Sequence, residues 1–391
     1  MKNLKFLLVL IVAASFSITA GAQNWKNLVN GNLDEFEKRN GTAEYKVNGD
    51  EIIGISALGT PSTYLCTKET FTDFILEVDV KVEVGLNSGI QFRSNSLPNF
   101  KNGQVHGYQC EIDPGDRKWS GGIFDQSRRG WIYPVTMNEP GRQAFRNGEW
   151  NKYRIEAVGN EIRTWVNGVQ VTNLVDDMTA EGFVAFQVHS IKNKNQDGLT
   201  VRWKGPKILT EDVEKYRWPV SANAKEFSYL NNELTENEKR KGFRLLWDGK
   251  TTKGWRGAKM DKFPTAGWEI KDGLLCTIES GGAESRGGGD IVTIEKFSNF
   301  ELEVDFRITE GANSGIKYFV DTELNKGEGS AIGCEFQILD DNKHPDAKKG
   351  VSNNRTVGSL YDLITAHSYS EPNKKKRGAS PGQWCKARVI V

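Results

Sequence analysis

Two all-β sandwiches in tandem are the fold class this sequence predicts, on three observations. Short segments alternate apolar and polar residues at period two, the spacing of a half-buried strand, as in ILEVDVKVEV, GIQFRS, KYRIEAV and GFVAFQVHS. Gly- and Asn-rich turns separate them, and Trp165-Val166-Asn167-Gly168-Val169 carries the Asn-Gly pair that closes a tight hairpin. Finally, a long stretch recurs. FILEVDVKVEVGLNSGIQF from Phe74 is matched by FELEVDFRITEGANSGIKYF from Phe300. At the same offset Gly107 falls on Gly333, GGIFD resembles GSLYD, and GEWNKYRI resembles GQWCKARV. A repeat this long is a duplicated domain, because solenoid repeats are several-fold shorter.

The elements follow in order. Residues 1–22 read as a secretory signal peptide: Lys2 and Lys5 precede an apolar run, and Ala20-Gly21-Ala22 offers a small-residue cleavage site. The first sandwich occupies 23–209. Residues 210–241 form a charged linker with one expected helix, LTENEKRKG, capped by Thr235. The second copy spans 242–391. After its GQWCKARVI only Val391 remains, whereas the first copy needs TWVNG and FVAFQVHS to finish. The second copy is therefore expected to lack its C-terminal strands and to show an open sheet edge.

Charge and cysteine usage exclude several classes. Lys+Arg and Asp+Glu nearly cancel, leaving +1, so the chain lacks the basic footprint of a nucleic-acid binder. No run after the leader is long and apolar enough for a membrane span. Five widely spaced cysteines without a CxxC or His-paired motif read as buried thiols with at most one or two disulfides, rather than a metal site or nucleophile. Eleven Trp, ten Tyr and nineteen Phe suit a sandwich core, and they equally suit a sugar-handling surface.

The candidate chemistry lies in alternating polar rows. Gln91 and Arg93 flank Phe92; Gln109, Glu111 and Asp113 alternate around Cys110 and Ile112; Gln187 and His189 flank Val188. Alternate residues share a strand face, so these rows are expected to look away from the core, as a site or as a solvated face. Arg93, Glu111 and His189 would then offer an oxyanion stabiliser, a base, and an acid or metal ligand. SRRGW is either a sugar clamp, with Trp131 stacking and Arg128 hydrogen-bonding, or a loop with a solvated arginine pair. In the second copy Lys317 stands at the Gln91 position, Phe319 at Arg93, and Glu335 and Gln337 at Gln109 and Glu111. Glu111-x-Asp113 resembles the carboxylate strand of laminarinase-type glucanases, but Pro114 and Gly115 end the strand before Asp116. Asp340, Asp341, His344 and Asp346 form an acidic loop that is either a divalent-ion site or simply solvated. The basic run Asn373 to Arg377 reads as an exposed loop.

LWDGKTTKGW, GWEIKDGLL, FELEVDFRITEGANSGIKY, GCEFQILDD, GSLYD and GQWCKARV together resemble the 3-keto-disaccharide hydrolase family, and LVNGNLDEF, WVNG and GFVAFQVHS extend the likeness through the first copy. The resemblance implies a concanavalin A-like jelly roll in each copy, export, and action on glycosides oxidised at C3. A C3 ketone acidifies the C2 hydrogen, so such an enzyme needs a base, donors for an enolate oxygen and an acid for the leaving group. On this resemblance Glu111 or His189 is the base, Arg93 and Gln109 steady the oxyanion, and the remaining member of the Glu111/His189 pair assists departure. Gln91, Asp113, Gln187, Arg128, Trp131, Lys317, Glu335 and Gln337 are expected to touch substrate. A divalent ion held by Glu111, Asp113 or His189 is an alternative oxyanion partner. The family more usually shows Glu-x-Gln, the order the second copy keeps, so one copy is open to a binding role. A non-catalytic, lectin-like sandwich is the rival function.

Overall fold

The computed structural model describes residues 24–279, 281, 287–324, 331–367 and 378–391. The expected signal peptide and the basic run at 373–377 lie outside the described residues. The first unit is two packed antiparallel sheets. The seven-stranded sheet runs, edge to edge, Gly130–Tyr133, Ile123–Gln126, His106–Ile112, Ser88–Asn95, Gly182–Val188, Thr63–Phe71 and Phe36–Asn40. The nine-stranded sheet is centred on Asn151–Val158, Phe74–Val82 and Thr200–Leu209.

The period-two pattern explains which side of each strand faces the space between the two sheets. Phe74, Leu76, Val78 and Val80 point from one sheet, and Ile90, Phe92, Tyr108, Cys110, Ile112 and Phe186 from the other, into a single buried core. Phe92 stacks on Tyr108 at 5.6 Å between ring centroids, and Phe74 meets Phe92 edge-on at 6.3 Å. Each such fully buried large side chain contributes roughly 1.5–3 kcal/mol. The opposite parity of the seven-stranded sheet places Gln91, Gln109, Glu111 and Gln187 on its outer face. That face is largely dry as well: Val105, from the 96–105 connection, clusters with Tyr64, Cys66, Phe183 and Ala185 upon it.

The segment read as a linker is partly built into the first unit. Phe227–Ser228 pairs in parallel with Val169–Val175, extending the nine-stranded sheet. Tyr229 donates to the Ile132 carbonyl at 2.8 Å, and Tyr133 donates to the Lys225 carbonyl at 2.6 Å. The expected helix forms over Glu236–Arg240. Thr235 accepts from the Glu238 amide while the Glu238 side chain accepts from the Thr235 amide, a reciprocal capping box.

In the second unit the described strands pair two by two: Trp255–Gly257 with Ile291–Thr293, Trp268–Lys271 with Leu274–Thr277, Glu301–Arg307 with Trp384–Ile390, and Asn313–Asp321 with Ile332–Leu339. Among the described residues no strand stands where Gly182–Val188 stands in the first unit. The smaller core gathers Ile308, Ile338, Val357 and Ala379, while Val304 and Phe319 remain exposed. Among the described residues no disulfide joins the cysteines, Cys66 and Cys110 are buried thiols, and no helix is long and apolar enough to cross a membrane.

Candidate active site

Strand register assembles the polar rows. His106–Ile112 pairs with Ser88–Asn95 so that Gln109 faces Gln91 and Glu111 faces Gly89. On the other flank of Ser88–Asn95, Gln187 faces Gly89, and Tyr64 in turn faces Gln187. Glycine at 89 is a packing requirement, since a methyl group there would collide with the Gln109 amide. The Gln109 side chain lies across that gap.

These side chains form a hydrogen-bonded run that ends on a carboxyl group. Ser94 donates to Gln91 at 3.0 Å, Gln91 Nε2 donates to Gln109 at 2.5 Å, and Gln109 Nε2 donates to Glu111 Oε2 at 2.7 Å. From the other side Asn87 Nδ2 donates to Glu111 Oε1 at 2.8 Å. Glu111 is only 5% exposed. Burial pushes its pKa up from 4.5 to about 7, and nearby Asp113 adds to the rise, although the Asn87 and Gln109 amides and the Arg117 charge oppose it. Gln187 Nε2 donates to the Tyr64 hydroxyl at 3.1 Å, while the buried Gln187 Oε1 has no hydrogen-bond partner. Burial, with the Glu111 charge contributing, holds the Tyr64 hydroxyl firmly protonated. The result is one ionisable carboxyl among amide and phenol donors, a constellation suited to proton abstraction beside a developing oxyanion.

His189 follows the last residue of Gly182–Val188, on the parity of Gln187, and continuing the register places it opposite Asn87. It is exposed, with Nδ1 2.6 Å from the Ser190 carbonyl, so Nε2 is the ring nitrogen left to solvent or substrate. Trp131 flanks the other end of the row: it pairs with Phe124, which pairs with Gln109. The Arg117 guanidinium lies 5.2 Å from the Trp131 ring centre and 5.1 Å from that of Trp119.

Three expectations change on contact with the structure. Arg93 does not join the row. The pairing slips between Phe92 and Asn95, Arg93 adopts a left-handed backbone (φ 43°), and its guanidinium is buried at two turns. There it donates to the Thr72 and Gly159 carbonyls at 2.8 and 2.7 Å and to Asp73 at 3.0 Å. Arg128 is likewise spent on structure, held by Asp125 at 2.7 Å and Thr179 at 2.6 Å, so Arg117 rather than Arg128 accompanies Trp131. Asp113 leaves the strand at its end and pairs with Arg117 at 3.0 Å.

The divalent ion left open as an alternative is not supported by the donor sets. Both Glu111 oxygens accept from amides, and Asp113 is occupied by Arg117 and the Gly115 amide. In the acidic loop Asp340 accepts three backbone amides, and Asp346 meets Arg355 and Tyr361. Among the described residues no group of three or more potential metal ligands converges. Besides Arg117, two members of the site escaped sequence reading. Asn87 stood in the repeated Asn-Ser-Gly-Ile turn, and that repetition was its signal. Tyr64 lay in a strand where an aromatic reads as core, and only cross-strand register reveals it.

In the second unit Lys317 faces Glu335 and Gly315 faces Gln337. Lys317 Nζ sits 2.9 Å from Asp290, Gln337 Nε2 donates to Asn313 at 3.1 Å, and Glu335 lies over Gly315 as Gln109 lies over Gly89.

Fold and site together define an all-β protein of two tandem units, the first a sandwich of two packed sheets with a buried carboxyl on a donor-lined sheet face. The chain belongs to the family of the 3-keto-alpha-glucoside-1,2-lyase-like domain, whose model matches residues 24–209 and 242–391. It is 39% identical over 161 residues to a 3-keto-disaccharide hydrolase of Bacteroides thetaiotaomicron, a match covering 38% of this chain and 52% of that protein. The chain thus spans about half the length of this curated relative. Among solved structures it is similar to a candidate glycosyl hydrolase of Parabacteroides distasonis (17% identity, TM-score 0.36, 48% of this chain and 94% of that one). It is also similar to the carbohydrate-binding module CBM66 of Bacillus subtilis (16% identity, TM-score 0.33, 45% and 95%).

Proposed function

We propose that the first unit cleaves 3-keto-glycosides by removing the C2 proton and expelling the C1 substituent, in a protein exported to the periplasm or beyond. The observation that carries this reading is Glu111: a carboxyl buried among amide donors, with its pKa raised to about 7. Such a group is a far better base at neutral pH than a solvated carboxylate. In the proposed step Glu111 takes the C2 proton and the C2–H electron pair forms the C2–C3 double bond of an enolate. The charge on O3 meets the N–H groups of the Gln91 and Gln109 amides and the Tyr64 hydroxyl. Collapse of the enolate restores the C3 ketone, places the double bond between C1 and C2, and breaks the C1–O bond. His189 Nε2, at the rim, or water delivers the proton to the departing oxygen. Water then adds across the 3-keto-glycal to complete net hydrolysis. Trp131 and Arg117 flank the row as a stacking platform for a sugar ring.

The membership in a 3-keto-glucoside lyase-like family and the name of the Bacteroides relative support the substrate class. The direct test incubates the full chain with a 3-keto-glucoside and with its unoxidised parent. Aglycone release from the ketone alone is the expected result. Release from neither would sink the proposal and leave a glycan-binding sandwich.

A further inference from the structure

We propose that the first unit carries a second carbohydrate site, a pocket for one neutral sugar ring on the face of the sandwich opposite Glu111. Trp165 alternates with Thr164 and Val166, which turn inward: Val166 joins the core and Thr164 donates to the Gly121 carbonyl. Trp165 therefore stands on the outer face of the nine-stranded sheet, whereas Glu111 stands on the outer face of the seven-stranded one. The segment that follows Thr200–Leu209, read from sequence as a linker, folds across this face and closes a cavity of about 300 Å³. Trp165 and Gln170 from the hairpin line one side of it, and Trp218, Pro219, Ser221 and Asn223 from the covering segment line the other.

Both walls are held in place. The hairpin ladder slips between Thr164 and Trp165, which brings Gln170 opposite Trp165. Ser221 donates its amide to Gln170 Oε1 at 2.6 Å, and Asn223 Nδ2 donates to Asn138 at 2.8 Å and to the Gln170 carbonyl at 3.2 Å. Trp218 donates its backbone amide to Glu156 at 2.9 Å, and the Arg154 guanidinium lies 4.5 Å from its ring centre. The Trp165 and Trp218 rings meet edge-on at 5.5 Å.

The lining selects the ligand class. No lining side chain is charged, so a phosphate, a carboxylate or a cation would be desolvated there without a counter-charge. Two indoles and a proline ring offer flat apolar surface for the C–H face of a pyranose. Among the described residues neither indole N–H has a hydrogen-bond partner, although Trp165 is only 3% exposed. Ser221 Oγ donates to Asn223, so its own lone pairs stay open to a hydroxyl donor. Aromatic surface with uncharged donors and acceptors suits a neutral polyol, and the small volume suits one ring rather than a chain. A glycan held here lies across the sandwich from Glu111, so the pocket would retain sugar without touching the proposed base.

The test titrates the full chain with the methyl glycosides of glucose, galactose, mannose and N-acetylglucosamine, followed by calorimetry and saturation-transfer NMR. At least one glycoside is expected to bind wild type in the millimolar range, and to bind Trp218→Ala about tenfold more weakly. Ser221→Phe, which fills the cavity while keeping the amide bond to Gln170, should weaken binding at least as much. Trp218→Phe keeps a ring and should bind within about threefold of wild type. Circular dichroism melts verify folding, and Ser221→Phe carries the test if Trp218→Ala fails to fold. An oligoproline peptide is the competing probe, because aromatic-lined grooves also take proline-rich segments. Binding of that peptide but of no glycoside, binding of no probe at all, or glycoside binding unchanged in either folded variant, Trp218→Ala or Ser221→Phe, overturns the inference.

Discussion

Replacing Glu111 with Gln tests the site through stability as well as turnover. Burial raises the Glu111 pKa from 4.5 to about 7. The native chain thus holds this proton more tightly than the unfolded chain, which has already released it between those two values. Where the unfolded state binds fewer protons, stability falls as pH rises. The wild type therefore carries no penalty from Glu111 below about pH 4.5 and the full penalty above about pH 7. With 1.36 kcal/mol per pKa unit, the penalty is roughly 3 kcal/mol. Glu111→Gln lacks this titration. Urea unfolding followed by tryptophan fluorescence should find the stability difference shifting toward the variant by roughly 3 kcal/mol between about pH 4.5 and pH 8.5. The same variant should lose on the order of a hundredfold or more in kcat on a 3-keto-glucoside. A stability difference that stays flat across this range would refute the account of Glu111 as a buried, proton-holding carboxyl.

Wild-type kcat/KM should climb through about pH 7 on its acidic limb, tracking deprotonation of Glu111, and an acidic limb near pH 4.5 would contradict the raised pKa. Arg93→Met should lower stability by about 3 kcal/mol, since it strands two turn carbonyls, yet leave kcat per folded molecule within about twofold; a large kcat loss would return Arg93 to the chemistry. Trp131→Ala should raise KM roughly tenfold with little change in kcat, measured by initial rates. Thr235→Ala should cost about 1 kcal/mol in urea unfolding by removing the reciprocal cap on Glu236–Arg240.

The duplicated sandwich was legible because period-two alternation and a long repeat are written directly in residue order. The row Gln91, Gln109, Glu111 and Gln187 was legible for the same reason, as regular strands keep parity. Arg93 was not, because parity holds only while the ladder is regular, and the slip after Phe92 with its left-handed backbone turns that side chain away. Arg128 misled because a turn arginine looks the same in sequence whether it meets a ligand or, as here, a buried Asp125. Asp113 was one residue past the strand end that Pro114 and Gly115 had already signalled. Tyr64 comes from a strand distant in sequence, and nothing local marks it as the partner of Gln187.

The two units draw on nearly the same inventory across the three equivalent strand positions: an asparagine, a glutamine and a glutamate, with only the last two exchanged. Net charge, volume and composition of that trio are conserved, but the direction of its hydrogen bonds is not. Asn87 donates a hydrogen bond to position 111, whereas position 337 donates one to Asn313. In a network of amides the location of one carboxylate sets the polarity of every neighbour. A substitution pair that leaves composition untouched can therefore reverse the direction of a hydrogen-bonded network, and permutation, as well as replacement, is a route by which duplicated domains diverge.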